Sequence, residues 1–455
     1  MEETAFLHTI IQKQRDFFNS GKTRSTSFRK QQLKALHLVI SNHTDEINKA
    51  LYDDLGKSAY EGYATETGLA LDDIRFMIHH ISLWNRPHHV STALFNFPGC
   101  STVYPEPYGV TLIMSPWNYP LMLTLVPLAA AISAGNCAVV KPSRYSEHTS
   151  KLLKTLLDGI FDPDYVCAVE GGHEINTALL ASKFDFIFFT GSVNVGKTVM
   201  HAAAENLTPV CLELGGKSPC IVEKTADIRL AARRIIWGKM LNAGQTCIAP
   251  DYVLADKQVV DLLLAEMLKQ ISVQFGDDPL HNPDFPKIIN RKHFDRLRSI
   301  APDAKYDETL NKIAPTLLPL TMEEVEKSPV MQQEVFGPIL PVIRCDSLDQ
   351  AENFIRCRPI PLALYIFSKK RSVQQQLIRS LRYGGGCIND TVMHIASNRM
   401  PFGGMGDSGM GSYHGKWGFD IFTHYKSVLN KGSIDLPFRY APFPKTLDLL
   451  KKIEH

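Results

Sequence analysis

Three residues of this chain have side chains and surroundings suited to acyl chemistry: Cys247, Glu213 and Asn118. Cys247 follows Asn242-Ala243-Gly244-Gln245-Thr246, a polar run containing glycine. Cys137, Cys211 and Cys220 instead sit in the apolar runs NCAVVKP, PVCLEL and SPCIVE, and read as small buried hydrophobes. A thiolate nucleophile needs partial exposure and local positive potential, so the polar loop sets Cys247 apart. Glu213 lies at the end of the run PVCLEL, one residue short of Gly215-Gly216, which predicts a carboxylate at a strand end, where open α/β sheets bind ligands. Asn118 lies in Ser115-Pro116-Trp117-Asn118-Tyr119-Pro120, directly after the strand-like GVTLIM. Taken alone, the cysteine reads as structural and the asparagine as a turn or cap residue. Together the three supply a nucleophile, a base for water and an N–H donor for an oxyanion, which is what thioester chemistry requires.

Two glycine-rich strings bear on nucleotide binding. Residues 404–409, GMGDSG, satisfy G-x-G-x-x-G, but Met400-Pro401-Phe402 precedes them and MGSYHGKWG follows. The strand and helix that a dinucleotide fingerprint needs are missing, so this string reads as a turn-rich loop. Residues 191–198, GSVNVGKT, satisfy G-x-x-x-x-G-K-[ST] and lie between the strand-like FDFIFFT and a helix-like segment. One reading is an NTPase phosphate loop, although its Mg²⁺ wants an Asp ending a later strand and SPCIVEK offers only Glu223. The other is a dinucleotide pyrophosphate held at the positive end of the helix that Gly191 and Ser192 open. These residues alone leave both open.

The surrounding elements must position these groups. Residues 1 to about 90 follow helical periodicity. From Tyr108, short β-branched runs (GVTLIMS, CAVVKPS, YVCAVEG, FDFIFFT, PVCLELG) alternate with helix-length segments, which predicts βαβ units and a parallel sheet. A second α/β stretch runs from about Ser218 to Asp390, with strand candidates SPCIVE, YVLAD, ILPVIR and ALYIFS. From about His394, glycines and aromatics lead to a strand-like YKSVLN and a short basic tail.

Composition narrows the class. A length of 455 residues predicts two or three domains. The 49 basic and 47 acidic residues leave a net charge of +2, which gives no reason to expect nucleic acid or an anionic membrane as partner. Nine cysteines without a C-x-x-C pair or metal-spaced cluster suit a reducing cytoplasm and predict no metal site. The start, MEETAFLHTIIQKQRDFF, reads as an amphipathic helix and not a signal peptide. The longest apolar stretch, 121–132, is interrupted by Thr124 and Pro127 and is too short to span a bilayer. A soluble cytoplasmic protein is expected.

In order along the chain, SPWNYP, KPS, FTGSVNVGK, LELGGKSP, NAGQTC, EVFGPILPV and PFGGMGDSGMGSYHGK resemble the aldehyde dehydrogenase superfamily. The GMGSYHGK ending is most similar to its class 3 and fatty aldehyde branch. The resemblance implies NAD- or NADP-dependent oxidation of an aldehyde to a carboxylic acid through a cysteine thioester. Cys247 is then the nucleophile, Asn118 and the Cys247 backbone N–H hold the oxyanion, and Glu213 activates water. Glu334 binds the nicotinamide ribose with Phe336 beside that ring, and Lys141 reaches the adenosine ribose. Gly191 and Ser192 face the pyrophosphate, so Lys197 is an incidental helix residue. Trp117 and Ser143 join this cofactor set through the SPWNYP and KPS motifs. The implied fold is α/β, with a Rossmann-like dinucleotide-binding domain over 1–213 and an α/β catalytic domain over 214–390. A segment near 85–105 and the C-terminal part, 391–455, form a small oligomerisation extension, and a homodimer exchanging the YKSVLN strand is expected.

Two departures stand out. Arg144 occupies the position after Lys-Pro-Ser where the family often has Glu, which opens the adenosine site to NADP. The chain ends LDLLKKIEH where some membrane-bound relatives carry an apolar tail. Within the superfamily, CoA-acylating dehydrogenation is an alternative, and Glu213 argues against it because that chemistry needs no water-activating carboxylate. From another class, the P-loop nucleotide-binding reading predicts Mg²⁺-dependent ATP binding.

Overall fold

The computed structural model describes residues 2–434 and 439–442, so the LDLLKKIEH tail lies outside the described residues. The first part of the chain is helical. Leu33, Leu36 and Ile40 of Thr26–Asn42 recur at three- and four-residue spacing, as do Ala70, Ile74, Met77 and Ile81 of Gly68–Trp84. That spacing gives each helix one apolar face, which packs on the wholly buried helix Met122–Ala134. Ser25 starts Thr26–Asn42 by accepting the Phe28 N–H (3.3 Å).

The first sheet contains five parallel strands in the spatial order Val210–Leu214, Phe186–Gly191, Val110–Met114, Cys137–Lys141, Val166–Ala168. The two-residue strand Gly409–Met410 pairs antiparallel on the outer edge of Val210–Leu214. The chain builds outward from Val110–Met114 to Val166–Ala168, then returns to the other side of Val110–Met114. Winding therefore reverses between Val110–Met114 and Phe186–Gly191, and such a switch point opens a crevice at the carboxyl ends of its strands. Residues 115–118 and Gly191-Ser192 leave the sheet at that crevice.

The second sheet is all parallel, in the order Thr316–Thr321, Ile339–Cys345, Tyr252–Asp256, Pro219–Val222, Ala363–Phe367, Gly385–Ile388. The four inner strands are the apolar runs expected from the sequence. The two outer ones were not anticipated, for physical reasons. Pro319 interrupts TLLPLT, and proline lacks a ladder donor, but an edge strand tolerates it. Gly385 and Gly386 give no alternating pattern, and a Cβ on Gly386 would collide with the Leu364 carbonyl.

A third, antiparallel sheet joins His88–Val90, Gly99–Pro107 and Thr423–Lys431. Thr423–Lys431, which contains YKSVLN, pairs along its whole length with Gly99–Pro107 and exposes most of its side chains.

The two glycine strings separate cleanly. The helix Val193–Glu205 begins one residue after Ser192, so Gly196 and Lys197 lie inside it. Gly196 packs on Leu214 and Lys197 faces solvent. No loop remains to wrap a triphosphate, and Glu223 bonds Thr225 and Ser368 at the end of the other sheet. This corrects the P-loop alternative. Residues 404–409 form a turn that leads into the Gly409–Met410 edge strand.

Candidate active site

The helix Ile228–Met240 gives way to a tight turn in which Asn242 and Ala243 both take left-handed backbone angles (φ 51). Non-glycine residues pay for that conformation, so it persists only where the surroundings hold it. Asn242 donates its N–H to Glu61 Oε1 (2.7 Å) and its side-chain amide to the carbonyls of Asn118 (2.7 Å) and Gln245 (3.1 Å). Gln245 donates to the Asn242 and Lys287 carbonyls (both 3.0 Å) and accepts the Ile289 N–H (3.0 Å). Gly244 has a positive φ and no room for a Cβ beside the Gly337 carbonyl. Cys247 emerges, half-buried, from this braced turn.

Asn118 lies against the same turn. Its Nδ2 donates to the Gln245 carbonyl (3.1 Å), and its own carbonyl accepts the Lys57 ammonium (3.1 Å). Lys57 forms a fully buried ion pair with Glu66 (2.6 Å), and Glu66 in turn accepts the N–H groups of Leu121 (2.8 Å) and Met122 (3.3 Å). The Tyr119 and Thr246 hydroxyls share a hydrogen bond (2.7 Å). This brace leaves no trace in local sequence, because Lys57 and Glu66 are single charges in a helical stretch and meet the site only through tertiary packing.

A cavity of about 650 Å³ opens beside the turn. Cys247, Glu213, Thr190 and Tyr413 line its floor; Asn118 is set just behind the wall, next to the lining residues Tyr119 and Thr246. Glu213 is buried on strand Val210–Leu214, and its Oε2 has no hydrogen-bond partner. Burial pushes its carboxyl well above the usual carboxylate range. Burial, and then the carboxylates of Glu334 and Glu213, push the Cys247 thiol up to about 12. Against these, the backbone N–H groups of Cys247 and Ile248 favour the thiolate.

The remaining sequence-predicted residues fall in two groups. Near the thiol, Trp117 packs edge-on against Phe336 (5.4 Å) and beside His293 (5.0 Å). The Glu334 carboxyl sits over Gly215, where any side chain would collide with it, and Glu334 accepts the Gly216 N–H. Burial and the neighbouring Asp251 carboxylate push Glu334 up to about 8. One strand further along the first sheet, Lys141 is buried with its ammonium on the Pro142 carbonyl (2.7 Å), and burial lowers it to about 8. Ser143 accepts the Tyr145 N–H (3.3 Å), and Arg144 is exposed, with its guanidinium over the Tyr145 ring. Ser192 caps Val193–Glu205 at the switch point. A capped helix end, a buried lysine without a bonded carboxylate and a carboxyl above two glycines form a donor and acceptor set that fits a dinucleotide.

The aldehyde dehydrogenase family profile matches residues 3–428. The chain belongs to the aldehyde dehydrogenase family. It is 46% identical over 425 residues to a 4,4'-diaponeurosporen-aldehyde dehydrogenase of Staphylococcus aureus, covering 92% of each chain. It is 43% identical to the dimeric NADP-preferring aldehyde dehydrogenase of mouse, covering 93% of this chain and 94% of that one. A solved structure described as the substrate-bound state of Staphylococcus aureus AldH superposes with a TM-score of 0.94 at 43% identity, covering 98% of both chains. Among its relatives the chain falls with the class 3 branch. This aldehyde dehydrogenase oxidises an aldehyde to a carboxylic acid with NAD(P) as acceptor. Among the described residues, no helix is long and apolar enough to cross a membrane.

Proposed function

We propose that this aldehyde dehydrogenase works through a thioester on Cys247. Cys247 Sγ adds to the aldehyde carbonyl, and the free hydrogen of Asn118 Nδ2, with the Cys247 backbone N–H, steadies the oxygen that becomes negative. NAD(P), when bound, accepts the hydride. Glu213 then takes a proton from water, which attacks the thioester and releases the acid and the Cys247 thiol. One observation carries this reading: Cys247 and Glu213 share one cavity floor, and Glu213 keeps a buried oxygen free for a water proton. The same orphan oxygen favours hydrolysis over acyl transfer to CoA.

For the cofactor, we infer that Gly191 and Ser192 face the pyrophosphate, Glu334 the nicotinamide ribose, and Trp117 and Phe336 the edge of its ring. Lys141, Ser143 and Arg144 form the adenosine end, and the mouse relative's NADP preference supports a role for Arg144 there. In this division 1–213 binds the dinucleotide, 214–390 carries the thiol, and the 85–105 segment with the oligomerisation strand inside 391–455 serves assembly. The mouse relative is named as dimeric, and the exposed strand Thr423–Lys431 supports a homodimer here. Nine free cysteines suit a reducing cytoplasm.

The deciding experiment is Cys247→Ala in the purified protein. Aldehyde-dependent NAD(P)H formation should vanish while cofactor binding persists; turnover near wild type would rule the thioester out.

A further inference from the structure

The aldehyde cavity has a charge asymmetry that its catalytic floor does not require. Exposure orders its wall from floor to mouth. Glu213 and Tyr413 are at most 2% exposed, whereas Tyr60 at the other extreme is 85% exposed. Trp237, Asp284 and Met393 are also exposed, so they belong to the mouth with Tyr60. The wall between is largely apolar, with Met122, Leu123, Met240 and Phe275 among its side chains.

Charge enters this wall with one sign. Glu61 and Asp284 line the cavity in addition to Glu213, while none of the lining residues is Lys, Arg or His. Glu61 comes from the short helix Ala59–Gly62 and Asp284 from the loop beyond Val260–Phe275, so two separate elements bring carboxylates to the same opening. Burial raises the Glu61 carboxyl to about 7, the nearby Lys57 ammonium opposes that rise, and Asp284 adds a smaller one. No ion pair with either carboxylate is formed among the described residues. The nearby Lys57 is already committed to Glu66, deep in the wall. The Asp284 carboxylate and the ionised fraction of Glu61, whose Oε1 also accepts the Asn242 N–H, create a negative field across the opening, and low-dielectric walls focus such a field.

We propose that Glu61 and Asp284 act as a charge filter on the aldehyde's far end. Aldehydes whose tail is uncharged and apolar, or cationic, pass; those whose tail is a carboxylate are rejected. The filter rests on the thioester reading for where the carbonyl docks: with the aldehyde carbon at Cys247, the tail must run toward the mouth. A cationic tail gains in addition from the Tyr60 and Trp237 rings, which line the same cavity.

The test compares three aldehydes of equal chain length: an n-alkanal, the corresponding ω-oxo acid and the ω-trimethylammonio aldehyde. In the wild-type enzyme at low salt, kcat/KM for the ω-oxo acid should fall below the alkanal by about tenfold or more, carried by KM and narrowed by added salt. Glu61→Gln with Asp284→Asn should bring the ratio toward one, and Asp284→Lys should move it further in favour of the ω-oxo acid. Using a ratio within each variant cancels any general loss of activity, and the exposed Asp284 variants suffice if Glu61→Gln folds poorly. A wild-type ratio near one, or a ratio that neither Asp284 variant moves, overturns the filter. Failure of the thioester reading is a separate result: turnover surviving in Cys247→Ala.

Discussion

The side-chain amide of Asn118 donates to the carbonyl of Gln245, 3.1 Å away and 127 residues later in the chain. This bond ties the loop leaving the first sheet to the turn two residues before Cys247. One amide hydrogen is used in bracing, and the other is the one assigned to the oxyanion in the proposed mechanism. Asn118→Ala should therefore lower kcat by roughly 10²–10³, the usual loss for one oxyanion donor. Steady-state kinetics will separate this from mere positioning, since a change confined to KM would exclude the oxyanion role.

Glu213 offers a second, separable step. In Glu213→Gln, addition of Cys247 and hydride loss need no base at 213, but water attack does. A burst of reduced cofactor followed by slow turnover is the expected trace, with an acyl adduct visible by intact mass. If turnover falls without burst or adduct, Glu213 does not serve deacylation.

A third prediction concerns pH. The Cys247 thiol is pushed up to about 12 by burial first, then by the Glu334 and Glu213 carboxylates. Below that value the thiolate fraction rises about tenfold per pH unit, so alkylation of Cys247 should climb steadily from neutral to alkaline pH. A carboxylate disfavours the neighbouring thiolate, so removing one lowers the thiol's value. Glu334→Gln should accordingly shift the climb to lower pH. Iodoacetamide labelling read at the Cys247 peptide measures this directly, and an unmoved profile in Glu334→Gln would show that Glu334 does not act on the thiol.

The parts of the fold legible in sequence were those with an unbroken pattern. Val110–Met114, Phe186–Gly191 and Val210–Leu214 are buried on both faces, so each appears as a continuous apolar run, and the groups at their ends (115–118, Gly191-Ser192, Glu213) could be placed at a sheet edge. Thr316–Thr321 and Gly385–Ile388 were hidden by proline and glycine. The brace of Lys57, Glu66, Asn242 and Gln245 was hidden for another reason. Its bonds join positions 61, 127 and 181 residues apart, and no local periodicity records such pairings. The carboxyls beside Cys247 were hidden for the same reason, since Glu334 reaches the thiol only through the fold.

Arg144 carries the last prediction. It follows Lys141-Pro142-Ser143 at the end of a first-sheet strand and is exposed beside Tyr145, with its guanidinium also close to Gly172. Lys141 and Arg144 lie near enough for Arg144 to disfavour the Lys141 charge, so two cations converge where an adenosine ribose would sit. A guanidinium offers a rigid fork of donors suited to a 2′-phosphate, whereas Glu at this position would repel one. Charge-assisted contacts of this kind contribute about 1.5–3 kcal/mol, which corresponds to a tenfold or greater gain for NADP. Arg144→Glu should lower kcat/KM for NADP by about that factor and leave NAD largely unaffected. The comparison needs both cofactors at one saturating aldehyde concentration. Equal effects on the two, or none on either, would mean that Arg144 points only to solvent and that the 2′ position is read elsewhere.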